Sequence, residues 1–248
     1  MIGEADKDLS AEERELKAVR WFEKAASLGN ADALFNLGVH YTKGQGVEKD
    51  YKKAAEYFQA AADAGSPDAA YQLALLYVTG IGVEKDEKKA AELFKNVAEM
   101  GYPSAQANLG VFYLKGKGVE KDTEQAEKWL LKAAKQGNAT AQFNLGVMYA
   151  RGANGKTNLV EAYKWTALAE ILGDKMAAEN RLALLPDLSP KQLAEAIRAV
   201  SDFTYEKIRE LHSEGILQIR TDMDMPGHEA ATEEKVTVSE QKPETALD

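Results

Sequence analysis

The chain of 248 residues contains no cysteine, six prolines, three histidines and three tryptophans. Without cysteine there is neither a disulfide framework nor a thiolate metal site. His40, His212 and His228 fall on separate segments with no carboxylate at ligand spacing, so the reading is no metal and no cofactor. No run of about 18 apolar residues occurs, so no membrane-spanning helix is expected. Lysine and arginine are outnumbered 31 to 40 by aspartate and glutamate, for a formal net charge of −9. An acidic chain whose basic residues do not cluster with aromatics is poorly suited to binding a phosphate backbone. The first eight residues lack the basic and apolar regions of a secretory leader, which reads as cytoplasmic as written, or periplasmic or secreted if the start is trimmed.

What the sequence does have is internal repetition. The segments beginning at Leu37, Leu73 and Leu109 each run from Leu to a Gly-x-Gly-Val-Glu-Lys-Asp ending, in a 36-residue register. A fourth starts at Leu145. Gly29, Gly65, Gly101, Gly137 and Gly173 form one column; Tyr41, Tyr77, Tyr113 and Tyr149 form another. Each unit reads as two helices. Ala33, Leu37 and Tyr41 mark the inward face of the first, over Ala31 to Lys43. Gly44 ends it and Asp50 caps the second, which carries Ala54, Phe58 and Ala61 and stops at Gly65. Ser66-Pro67 opens the next unit with a cap and a proline at the first helical position. One such pair cannot bury its apolar face alone. A stack of pairs can, so the predicted fold is all-α: an α-solenoid of 36-residue helix-turn-helix repeats with helical caps.

The expected division is a capping helix within 1–30, representing a partial repeat, the solenoid over 31–184, a second capping helix over 185–219, and an acidic disordered tail over 220–248. Ser10 and Glu13 form a capping box for the first helix. Leu188-Ser189-Pro190 opens the terminal one. From Thr221 onward the chain holds −6 of its net charge and no aromatic residue, the composition of a disordered segment.

The pattern Ala-x-x-x-Leu-Gly-x-x-Tyr-x-x-Gly-x-Gly-Val-x-x-Asp, followed by a Lys-x-Ala helix ending in Ala-Ala-x-x-Gly, resembles the Sel-one-like repeat family, relatives of tetratricopeptide repeats. The likeness spans roughly residues 15–184. It implies an adaptor that scaffolds protein complexes and has no catalysis of its own. The Leu-Ser-Pro helix resembles that of bacterial members. A cysteine-rich branch of the family is linked to β-lactam binding, and the absence of cysteine sets this chain apart from it.

Ala150 to Thr157 fits a relaxed phosphate-loop pattern, but it sits in register with three ordinary repeat turns and follows a helix, so it reads as a turn. No serine elbow or paired zinc histidines occur. The residues expected to bind are an amide column, Asn36, Gln72, Asn108 and Asn144 (with Asn180 in the same register), and the column four positions on: His40, Leu76, Phe112 and Met148. Amides can pair with an extended peptide backbone, while the variable column selects its side chains. The expected function is therefore a non-catalytic scaffold docking a protein or peptide on its concave helical face. The alternatives are a cell-wall or β-lactam-related hydrolase, or a structural solenoid that self-associates through its incomplete first repeat.

Overall fold

A computed structural model describes residues 9–153 and 155–213. The described residues form eleven α-helices and no strands. After α1 (Ala11–Ala26) come four helix pairs: α2 (Ala31–Lys43) with α3 (Tyr51–Asp63), α4 (Pro67–Thr79) with α5 (Glu87–Glu99), α6 (Pro103–Lys115) with α7 (Thr123–Lys135), and α8 (Ala139–Arg151) with α9 (Leu159–Ile171). Then follow α10 (Lys175–Leu184), a 3-10 turn at Leu185–Asp187, and α11 (Pro190–Ser213). The chain divides into two compact units, up to Phe203 and from Thr204. In the second, the end of α11 carries a Lys207–Glu210 pair at 2.9 Å. The expected acidic tail and His228 lie outside the described residues, as does the side chain of His212.

The boundaries follow from local chemistry. Asp50, Asp86 and Asp122 each accept two backbone N–H bonds at the start of a second helix, and Asn158 does the same work with one. Gly44, Gly80, Gly116 and Gly152 end the first helices in the left-handed region. The carbonyls of Tyr41, Tyr77, Tyr113 and Tyr149 then accept from the N–H of residues 50, 86, 122 and 158 at 2.9–3.0 Å, which pins each loop to the helix before it. The Ser10–Glu13 capping box is present on α1.

The second loop glycine acts between repeats. A Cβ at Gly82 would lie 2.3 Å from the Tyr51 carbonyl oxygen, and one at Gly118 would lie 2.0 Å from that of Glu87. The loop therefore rests directly on the first turn of the preceding second helix. Within repeats, Gly38, Gly110 and Gly146 let Phe58, Leu130 and Thr166 sit against the backbone of the first helix. The core runs along the stack in three clusters and is rich in small residues: Leu37, Leu73, Leu109 and Leu145 are fully buried, as are Ala54, Ala90, Ala126 and Ala162. Among the described residues the first helices α6, α8 and α10 approach one another in turn, and second helices do not pair to that extent. By the common register, the first helices line the inner side of the stack.

Candidate functional site

At about 100° per residue, the solvent side of each first helix is set by what the core leaves free. In α2 the core takes Ala33 and Leu37, so the inner face presents Asp32, Asn36, Val39 and Lys43. The same positions read Asp68, Gln72, Leu75 and Thr79 in α4, Ser104, Asn108, Val111 and Lys115 in α6, and Thr140, Asn144, Val147 and Arg151 in α8. The surface therefore has three bands. Short polar or acidic side chains line the helix starts, half-buried amides and branched apolar residues run down the middle, and cations at three of four helices line the ends. Anions at N-termini and cations at C-termini also suit the helix dipoles.

The amide column lies in this face. Asn36 donates from Nδ2 to the Asp32 carbonyl at 2.8 Å, and Asn144 to that of Thr140 at 2.7 Å. Asn108 donates to the Ser104 carbonyl at 3.0 Å and to the Tyr71 hydroxyl of the preceding repeat at 3.1 Å. Part of each amide's capacity thus goes to fixing its own rotamer, and at Asn108 to joining two repeats. Gln72 is half-buried in the same row.

The second column is corrected. Leu76, Phe112 and Met148 are core side chains, not groove residues. Phe112 meets Phe94 edge-on, with ring centroids 5.4 Å apart. His40, with its side chain 12% exposed, donates from Nδ1 to the Gln45 carbonyl at 2.8 Å and packs on Phe22. The reason is angular. Four residues past the amide, the side chain has turned about 40° toward the core; three residues past it, the side chain has turned about 60° away. The column that shares the amide face is Val39, Leu75, Val111 and Val147. Its alternation with Asp/Ser/Thr seven residues earlier and Lys/Arg four residues later was the signal available in the sequence.

The inner layer deepens at its C-terminal end, where a cavity of about 200 Å³ opens between α8 and α10. Val147, Ala150 and Arg151 line it from one side, and Asn180, Ala183 and Leu184 from the other. Beside it, Arg181 donates to Glu170 and to the Tyr163 hydroxyl. That hydrogen bond holds the Glu170 carboxyl below the usual carboxylate range. Tyr149 donates to Glu127, and burial together with that bond pushes its phenol well up, so it stays a neutral donor. The segment from Ala150 begins inside α8, and its Gly152 ends that helix as Gly44, Gly80 and Gly116 end theirs. Among the described residues, no group of three or more His, Asp or Glu is placed to hold a metal ion, and no helix is long and apolar enough to cross a membrane.

The Sel1 repeat pattern matches residues 14–30, 31–66, 67–102, 103–138 and 139–174, in the register of the helix pairs. The chain belongs to the Sel1 repeat family. Sel1 repeat proteins are in general protein-interaction scaffolds. Among solved structures, this Sel1 repeat chain is similar to c5321, a protective antigen of uropathogenic Escherichia coli strains displaying an SLR fold, with 33% identity and a TM-score of 0.72. The likeness covers 86% of this chain and 46% of that one, so the chain spans under half of that protein's length. A Sel1 repeat protein from Oxalobacter formigenes is also similar, with 33% identity, a TM-score of 0.63, and coverage of 66% and 68%. A comparison with curated proteins finds no match.

Proposed function

We propose that this protein is a non-catalytic scaffold that docks a protein segment along the inner face of its first helices. The observation that carries this reading is the banded surface of one layer, whose polar and amide–apolar bands recur on four helices and whose cationic band recurs on three. The middle band offers half-buried branched side chains beside amides at Asn36, Gln72, Asn108 and Asn144. An extended segment lying across the helices would meet one amide and one apolar ledge per repeat, spaced by the stack. Exposed Lys43, Lys115 and Arg151 along one edge set its polarity, favouring acidic side chains there. Specificity then rests on the Val39, Leu75, Val111 and Val147 row, not on the buried column next to it.

The test is co-purification of wild type beside two variants, quantified by mass spectrometry. Val111→Asp with Asn108→Ala alters the inner face; Lys88→Glu with Glu124→Lys alters exposed positions on second helices. A partner retained by the wild type and the second variant, and lost from the first, supports the reading. A partner lost only from the second variant refutes it.

A further inference from the structure

Helix α10 keeps the register of the first helices but breaks their inner-face pattern. Counted 36 residues on from α8, Met176 stands for Thr140, Asn180 for Asn144, Ala183 for Val147 and Asp187 for Arg151. Of these four positions only the amide is retained. The exchange of a branched side chain for Ala183 removes volume where α8 and α10 meet, and the cavity of about 200 Å³ lies there. Val147 and Ala150 of α8 and Ala183 and Leu184 of α10 give it an aliphatic lining, which two polar side chains share, Arg151 and Asn180. Both are uncommitted. Asn36, Asn108 and Asn144 each donate to the carbonyl four residues back, whereas Asn180 makes no such bond among the described residues. Arg151 is exposed and has no ion pair among them.

We propose that this cavity anchors the docked segment, taking one large apolar side chain that is followed two residues on by aspartate or glutamate. The inference rests on the inner-face docking reading and fixes where along that face the partner segment is held. Size selects a side chain over a free small molecule: sites for small molecules enclose about 300–1,000 Å³, more than the cavity offers. Spacing selects the position of the acid. Residues two apart on an extended chain point the same way and lie about 6.6 Å apart. With the apolar side chain in the cavity, the next but one also faces the protein at the rim, where the guanidinium of Arg151 can meet its carboxylate. The residue between them points to solvent. Asn180, not spent on its own helix, is left to pair with the peptide backbone of the segment. An arginine without a counter-charge beside an apolar cavity also selects against a basic residue at that position.

The test titrates the isotope-labelled full chain with a blocked ten-residue peptide, acetyl-Ser-Gly-Ser-Gln-Leu-Ser-Asp-Gln-Ser-Gly-amide, and two relatives, one with Lys for Asp and one with Ala for Leu. Chemical shifts are followed to about 5 mM peptide, since one anchor and one rim ion pair bind in about the millimolar range. The first peptide is expected to move the Asn180 side-chain amide and the backbone amides around Val147 and Ala183. Each relative should bind at least about fivefold more weakly. Arg151→Glu should reverse the charge preference, so that the lysine peptide binds better than the aspartate peptide. Ala183→Leu, which puts a branched side chain back, should weaken the first peptide at least about tenfold with unchanged helicity.

Equal binding of the aspartate and lysine peptides, an undiminished response in Ala183→Leu, or no shift at all overturns the proposal. Shifts confined to the row Val39, Leu75 and Val111 would overturn the anchor alone and leave the inner-face reading standing; shifts confined to second helices would overturn both. A peptide ending at Leu with a free carboxylate that binds where the blocked peptide does not would overturn the internal pattern in favour of a chain end.

Discussion

Replacing Leu172 by glutamine should stabilise the protein, because repeat four holds half of a hydrogen-bonded pair that repeat three holds complete. In repeat three, buried Gln106 donates to the Ala98 carbonyl at 3.1 Å, and its Oε1 accepts from Gln136 Nε2 at 2.8 Å. In repeat four, Gln142 donates to the Ala134 carbonyl at 3.1 Å, but its buried Oε1 has no partner among the described residues. The residue in the register of Gln136 is Leu172, which is half exposed. A buried unsatisfied acceptor costs about 1–3 kcal/mol, and the restored bond contributes about 0.5–1.5 kcal/mol. Against this stands the loss of a half-buried leucine end, about 1 kcal/mol at most, part of which the glutamine methylenes keep. From the lower ends of these ranges the net gain is at least about 0.5 kcal/mol, or a degree or more in Tm for a unit of this size. A double-mutant cycle with Gln142→Met isolates the pair. The Met variant does not orphan the Ala134 carbonyl, which also accepts from the Gly137 N–H at 3.0 Å. Leu172→Gln should help by about 1 kcal/mol more in the Gln142 background than in the Met background, read by chemical denaturation. Equal effects in the two backgrounds would refute the reasoning.

Three other outcomes are expected. Gly118→Ala should cost at least about 2 kcal/mol more than Gly101→Ala, since both have positive φ but only the first puts a Cβ into the Glu87 carbonyl; similar costs by urea denaturation would contradict the loop-on-helix contact. Arg181→Met should flatten the acid limb of stability. Glu170 has its carboxyl held below the ordinary 4.5, so its contribution is present above that value and is lost as pH falls through the depressed one. Midpoints at pH 7 and pH 3 should therefore differ more in wild type than in the variant. Phe112→Glu should unfold its repeat, seen as lost helicity, because Phe112 is core; a folded variant with altered binding would restore that column to the docking surface.

The fold was readable because each boundary is marked by a residue with a local mechanism. Asp50 caps, Gly44 takes the left-handed conformation and Pro67 opens a helix, and these recur at one period. The inner face was only half readable. The amides stood out as a column, but regularity alone does not say which way the next turn points. The i+4 neighbour looked like the same face, and only the buried Leu37 and Ala33 columns, used as an angular reference, place Val39 there instead of His40. The Gln106–Gln136 pair was invisible for another reason. It joins side chains 30 residues apart, and it occurs complete in one repeat only.

The central claim is that the first helices form the docking layer. Site-specific photo-cross-linking tests it most directly. A photoreactive phenylalanine is placed in turn at Val39, Leu75, Val111 and Val147, and at Lys52, Lys88, Glu124 and Lys128 on second helices. The account predicts one partner cross-linked from several of the first four positions and from none of the second four. The same partner captured from the second-helix positions, with none from the valine and leucine row, would contradict it.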